Sequence, residues 1–511
     1  MTTEATTLYE NGKVWQWMPR TGRPSEPRDF AGYASWFTTS GETISAVGHG
    51  AVPQDVRALA ATVVDLQGHA VLPGLQDSHI HLYHMGEVAH YVDLRGTSSF
   101  DDLTARVMAH AAKFPLADWL VGFGWEQDKL SSCARYPSRA DLDAIPVSRP
   151  IYLWRTCFHI AVVNSKALVV AGLDISPHPA WTQPVAGGVV DVDGDGVPTG
   201  ILRESVTPRI HIFPVAVHTN DAHCLPLYRA LQASGQLPLR VYLTPDQHEV
   251  DPRHSRRDVL GPPFQDNLLT VDRVKLFGDG SLGAETAALR QPYRDSTNKG
   301  VLAAAQVLAA MATVEGGIDR PLLTHCQILG PDLVEKMAAL NIVANIQPSF
   351  VVTDAAFAAK RLPPALLPYS YCWQKITRAG VVCAGGSDAP IETSNPFQGM
   401  YDAMHRRAPL DDPRECFAFP HALQLYTLNE EARLGELAPG FQADFVVVKY
   451  DLVANDASKL LANDLLQRVF VQGIERYNAT TRPPVSSPLA IQASGLPGKN
   501  GQIRICRCCR V

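Results

Sequence analysis

Short apolar runs broken by turn residues fill the first part of the chain. The pieces "TLYENGKVWQW", "YASWFTTSGETISAVGHG" and "TVVDLQGHAVLPG" are separated by Gly, Pro and Asn and lack helical periodicity, so they predict short β-strands. The same texture returns near the other end. In "GELAPGFQADFVVVKYD" and "RVFVQGIERYN" a Gly/Pro turn precedes a run rich in Val and Phe. Two such segments around a long middle predict one small β domain assembled from residues 1–72 and 431–480.

Between them, over residues 73–430, apolar strand-like runs alternate with helix-like stretches. The strand candidates are "RPIYLWR", "LPLRVYL", "DRVKLFGD", "RPLLTH", "NIVANIQP" and "GVVCAGGSD"; "PDLVEKMAAL" and "FQGMYDAMHRR" read as helices. Continuous apolar strands followed by helices indicate α/β architecture with parallel strands buried on both faces. A (β/α) barrel leads, and a doubly wound sheet gives much the same pattern. No period of 20 to 50 residues is visible, which argues against a solenoid.

With 511 residues the chain is long enough for a large domain and an accessory one. Its 45 Lys+Arg against 51 Asp+Glu give a net charge of −6 without a basic stripe, which argues against nucleic acid or an anionic membrane as partner. The expected partner is a small molecule. No export signal or membrane span is read from the sequence, so a cytoplasmic protein is expected. The ten cysteines form no framework; those in the body read as buried thiols of a reducing compartment. Residues 481–511, with Cys506, Cys508 and Cys509, read as a disordered tail with no assigned function.

"GLQDSHIHL" sets His79 and His81 two positions apart after an apolar run. In a strand, positions i and i+2 share a face, so both imidazoles can reach one metal ion. Polar residues also close other apolar runs: Lys275 in "DRVKLFGDGSLG", His325 in "RPLLTHCQI" and Asp388 in "GVVCAGGSDAP". In a parallel barrel these strand ends share the face where active sites form. Each has an ordinary alternative, as a surface charge, a core histidine or a helix cap. Their shared position at strand ends favours chemistry.

The segments "VLPGLQDSHIHL", "GFGWEQDKL", "FHIAVVNSKAL", "GDGVPTGILRES", "VKLFGDGSLGAETAAL", "THCQILGPDLVEKMAALNIVANIQPSF" and "AGGSDAPIETSNPFQGMYDAMHRR" resemble, in that order, the amidohydrolase superfamily. Within it the chain resembles the amidohydrolase-3, YtcJ-like group that includes N-substituted formamide deformylase. The resemblance implies a (β/α)8 TIM-type barrel with a β-sandwich, and one or two divalent metal ions, zinc first. It implies His79, His81, His325 and Asp388 as metal ligands, with Lys275 at a position often occupied by a carboxylated lysine. An ammonium has no lone pair, so Lys275 ligates only as a carbamate or after losing its proton. The implied reaction is hydrolysis of a non-peptide C–N bond in an N-substituted amide or formamide. Metal binding acidifies water to a pKa of about 7, and Asp388 takes the proton and returns it to the leaving nitrogen. His159, Trp125, Glu204 and Gln347 are the substrate-pocket candidates, for which packing is an equal alternative. A homodimer is compatible with this reading. No Gly-x-Ser-x-Gly elbow supports nucleophilic serine chemistry.

Two stretches depart from the pattern. The group carries a fifth-strand histidine in a "HAIGD"-like segment, and none lies between Lys275 and His325; that span is short for β/α units of roughly 30 residues each. Between Glu204 and Leu227 the "GVTSVHD"-like strand has no counterpart. The expectation is therefore a full barrel or an incomplete one, and either an active hydrolase or a non-catalytic relative that keeps the pocket. His84 is the nearest substitute for the missing ligand.

Overall fold

The structure, a computed structural model, describes residues 5–20, 22, 26–88, 90–130, 135–170, 188–204, 224–244, 264–265, 268–271, 282, 287, 289, 291–294, 321–427 and 433–481. Lys275, the stretch after Gly300 that should hold the missing histidine, most of the stretch between Glu204 and Leu227, and the Cys-rich tail lie outside the described residues.

Branched and aromatic side chains suit a pleated, half-buried surface, and the N-terminal runs form strands accordingly. Thr6–Glu10, Trp36–Ser40, Thr43–Gly48 and Ala60–Asp65 make a four-stranded sheet. Lys13–Trp17, Phe30–Ala34 and Ala70–Pro73 join Phe445–Val448, Leu466–Val471 and Ile474–Asn478 in a six-stranded sheet. The two ends of the chain meet where Ala70–Pro73 pairs antiparallel with Phe445–Val448, Val71 opposite Val447. The sheets touch through aromatic rings. Tyr9 stacks on Phe37 at 4.6 Å, and Phe445 stands edge-on to both at 5.1 Å while stacking on Phe470 at 4.3 Å.

The middle of the chain supplies three groups of parallel strands. Val92–Asp93, Leu120–Trp125 and Ile151–Arg155 are parallel neighbours. Helix Phe100–Lys113 covers them: Ser99 caps it by accepting from the Asp102 N–H at 3.1 Å, and Leu103, Val107 and Ala111 form its buried stripe. The second group pairs Val241–Leu243 with Leu269–Val271, and the third aligns Leu322–Thr324, Val343–Ile346 and Cys383–Gly385. The two expected helices are Pro331–Ala339 and Pro396–Met404.

The first group also carries antiparallel strands that the pattern does not announce: Ile160–Val163, Pro198–Glu204 and Gly188–Val192. Local turn chemistry folds the last two together, because Asp193 Oδ1 accepts from the N–H groups of Asp195 at 3.0 Å and Val197 at 2.9 Å. Among the described residues the three parallel groups do not join into one closed sheet. Nor is any helix there long and apolar enough to cross a membrane.

Phe445 is fully buried where the two end sheets meet. Phe445→Ala is expected to lower stability by about 3–5 kcal/mol, the usual cost of emptying an aromatic core position. Urea unfolding of the full chain checks this, and a loss below about 1 kcal/mol would show that the sheets do not depend on this contact.

Candidate metal centre

The regular strand ends at Pro73, and His79 and His81 lie beyond it rather than on the strand that their spacing suggests. Residues 74–81 are nevertheless held by backbone hydrogen bonds. Gly74 N–H donates to Asp444 O at 2.8 Å and Gln76 N–H to Tyr426 O at 2.6 Å. Ser78 N–H then donates to Gly385 O at 3.1 Å, Asp388 N–H to His79 O at 2.8 Å, and His81 N–H to Ala389 O at 2.9 Å. The run lies beside residues 385–389 like a strand, but the bonding pattern is broken where Asp388 takes a φ of 56°. Gly386 permits this approach: a Cβ there would stand 2.7 Å from His79 N and 3.0 Å from His79 O.

Three of the expected ligands converge. One potential ligand atom from each of His79, His325 and Asp388 lies within 4.8 Å of the other two. His79 Nε2 and His81 Nε2 are 3.0 and 3.1 Å from the same oxygen, Asp388 Oδ1; His81 thus borders the group through Asp388. The His79 ring is 5.2 Å from that of His81 and 5.6 Å from that of His325, nearly perpendicular to both. His325, like Asp388, has a left-handed backbone, with φ 74°, a strain of about 1–3 kcal/mol that surrounding contacts must hold. Its N–H donates to Asn345 O at 2.8 Å.

Burial alone would raise the Asp388 carboxyl, but His79 and His81 beside it, with His325 nearby, hold it well below the usual carboxylate range. His79 Nε2 and Asp388 Oδ1 are buried and, although close, are not aligned as a hydrogen bond; neither makes one with any described residue. A buried polar atom left this way costs about 1–3 kcal/mol. A cation among imidazole nitrogens and a carboxylate oxygen satisfies both atoms, and nitrogen and oxygen donors of this kind suit zinc. The residues present therefore fit a divalent metal.

Several supporting residues are invisible to strand-end reasoning. Asp77 Oδ1 accepts from the His79 N–H at 3.1 Å and the Ser387 N–H at 3.0 Å, tying the two ligand segments together. Burial pushes its carboxyl up against these donors. Asp354, buried, and Glu392, half-buried at the surface of its segment, are carboxyls that follow strands Val343–Ile346 and Cys383–Gly385. Burial, with the neighbouring Glu126 charge, raises Asp354 to about 7 despite the Tyr371 hydroxyl. Burial, with the Asp354 charge, raises Glu392 to about 8 despite a 2.6 Å bond from the Thr353 hydroxyl. The only advance signal is "QDSH" itself, where Asp precedes the first histidine by two.

The pocket candidates are spread out. Trp125 is fully buried in the core of the first parallel group, its indole N–H donating to Leu153 O at 2.8 Å. Gln347 is also fully buried, its Oε1 2.7 Å from His325 Nδ1. His159 sits half-buried in the turn between Ile151–Arg155 and Ile160–Val163. Glu204 ends its strand opposite Gly188, and its side chain lies outside the described positions. The same holds for the side chain of His84 on helix Leu82–Val88.

Comparison with known proteins covers most of the chain. A family model described as "Amidohydrolase family" matches residues 62–314 and 295–474. A Bacillus subtilis (strain 168) protein named as an amidohydrolase, YtcJ, is 30% identical over 473 aligned positions, taking in 78% of this chain and 87% of the relative. Because 473 positions use only 78% of 511 residues, that relative carries stretches with no counterpart here. N-substituted formamide deformylase of Arthrobacter pascens is 24% identical, covering 86% of this chain and 94% of its own. Among solved structures, an uncharacterized metal-dependent hydrolase from Pyrococcus furiosus is 26% identical with a TM-score of 0.62, over 88% of this chain and 99% of that one.

Two outcomes follow from this geometry. Replacing His79 and His81 together by Ala is expected to remove most bound metal, since two donors leave at once; elemental analysis of purified protein reads it, and unchanged metal content would refute the ligand assignment. Glu392 binds its proton more tightly when folded, between its ordinary 4.5 and about 8. Its contribution to stability is therefore fully present below about pH 4.5 and declines as pH rises towards 8. Glu392→Gln should accordingly gain stability over the parent as pH goes from 5 to 9 in urea unfolding, and a pH-independent difference would contradict a raised carboxyl.

Proposed function

The chain belongs to the amidohydrolase family, and from that membership we propose that it is a divalent-metal-dependent hydrolase of a carbon–nitrogen bond other than a peptide bond, in an N-substituted amide or formamide. One observation carries the reading. Two buried ligand atoms, His79 Nε2 and Asp388 Oδ1, make no hydrogen bond and share a cluster with His325. Similarity to a metal-dependent hydrolase over 88% of the chain supports the metal, and similarity to N-substituted formamide deformylase supports the substrate class. A non-catalytic relative is not favoured. Zinc is the metal this donor set suits best.

In this reading His79, His81, His325 and Asp388 hold one ion, and Lys275 is a further ligand as its carbamate. The ion, when bound, supplies Lewis acidity toward a water and the scissile carbonyl. Asp388 serves as the proton carrier. As a carboxylate beside the water it accepts a proton as water oxygen bonds to the carbonyl carbon, and passes it to nitrogen as the C–N bond breaks. The products are a carboxylic acid, formic acid for a formamide, and a free amine. His159 is the pocket residue nearest in kind to an oxyanion or substrate contact. The same reading puts the site at the mouth of a (β/α)8 barrel, with the two aromatic-linked end sheets as its sandwich domain. The partner is a small molecule rather than nucleic acid.

Release of amine from a panel of N-substituted formamides and amides, with and without chelator, tests the proposal. Turnover that chelation abolishes and zinc restores is expected, as is a fall of about 10²–10⁴ in Asp388→Asn with the fold retained. Hydrolysis untouched by chelator, or ordinary turnover in Asp388→Asn, would reject it.

A further inference from the structure

A histidine ligates metal through whichever ring nitrogen lacks the proton, and something must decide which one that is. For His325 the decision can be traced through fixed donors and acceptors. Ser78 O is a backbone carbonyl and only accepts, so the group 2.7 Å from it is the Asn345 Nδ2 amide. The other end of that amide, Oδ1, therefore accepts, from the Ser78 hydroxyl at 2.9 Å and from Gln347 Nε2 at 3.3 Å. Gln347 Nε2 also faces the Asn345 carbonyl at 3.5 Å. Both neighbours demand a donor there, which turns Gln347 Oε1 toward His325 Nδ1 at 2.7 Å. An oxygen in that place requires the proton on Nδ1 and leaves the lone pair on Nε2.

We propose that Gln347 is a positioning residue that fixes His325 in its Nδ1–H tautomer, so that Nε2 is the metal-binding nitrogen, with the polarity of the whole relay set by the Ser78 carbonyl. Gln347 is fully buried, and no described contact gives it another role as strong as this 2.7 Å bond. Ser78 directly precedes His79. The relay therefore joins the segment carrying the first two histidines to the ring of the third, across a separation of 267 residues. The inference rests on the metal-centre reading above.

Two variants separate positioning from packing. Gln347→Met keeps length and burial but has no acceptor oxygen; Gln347→Glu keeps the acceptor on His325 but sets its second oxygen, in place of a donor, against the two Asn345 oxygens. Zinc dissociation constants, measured on the purified full-length chain by competition with a chromophoric chelator, are the readout, with melting of the metal-free proteins as the control for folding. The Met variant should bind zinc 10–100-fold more weakly, the usual effect of losing a hydrogen-bond partner behind a ligating histidine. The Glu variant, which keeps the acceptor on His325, should bind zinc more tightly than the Met variant, a ranking that general misfolding does not produce. Parent-like affinity in Gln347→Met, or equal weakening in Gln347→Glu, would overturn the positioning role while leaving the metal centre standing. A parent chain without zinc affinity would overturn both.

Discussion

Burying an ionised carboxylate is costly unless its surroundings answer its charge, and this constraint governs the neighbourhood of Asp388. The side chain is nearly enclosed, yet it stays well below the normal carboxylate range because imidazoles meet it from two segments far apart in sequence. The backbone follows the same need. Asp388 and His325 both adopt left-handed conformations, Gly386 leaves no Cβ against His79, and Asp77 bonds to the N–H groups of both ligand segments. Two imidazole nitrogens on one carboxylate oxygen, with a third histidine in reach, form a donor set that a cation completes.

The placement of this cluster depends on the joined ends of the chain. Ala70–Pro73 is paired with Phe445–Val448, and the chain leaves that sheet directly into the histidine segment. Asp444 marks the exit: its carbonyl accepts from Gly74, and its carboxylate takes Arg240 Nε at 2.6 Å and Gln472 N–H at 2.7 Å. A Cβ on Gly74 would press within 2.9 Å of the Asp444 side chain. The β unit thus sets where residues 74–81 begin, and the ladder to residues 385–389 sets where they end.

Local signals in the amino-acid sequence carry much of this arrangement. Period and turn residues locate the end strands, the parallel strands at Ile151–Arg155, Val241–Leu243, Leu322–Thr324, Val343–Ile346 and Cys383–Gly385, and two helices, because each depends only on near neighbours; "DRVKLFGD" lies outside the described residues. His79, His81, His325 and Asp388 stand out because each is polar at the close of an apolar run. What stays hidden depends on tertiary contact. Asn345 and Gln347 read as the polar end of "NIVANIQP", and nothing local ties them to Ser78 or His325. Asp354 and Glu392 look like surface acids until burial is known. The antiparallel pair Gly188–Val192 and Pro198–Glu204 follows from one aspartate-stabilised turn. His79 and His81 meet the same Asp388 oxygen through an irregular extended segment rather than through a strand, a geometry that the two-residue spacing does not announce.

Whether histidine nitrogen and aspartate oxygen hold the metal is read directly by X-ray absorption at the zinc edge of the loaded full-length chain. The expected spectrum is a first shell of nitrogen and oxygen at about 2.0–2.2 Å with imidazole outer-shell scattering. That shell should be lost in the double alanine variant of His79 and His81. A shell containing sulfur at about 2.3 Å would mean that cysteines take the metal, and would contradict the account.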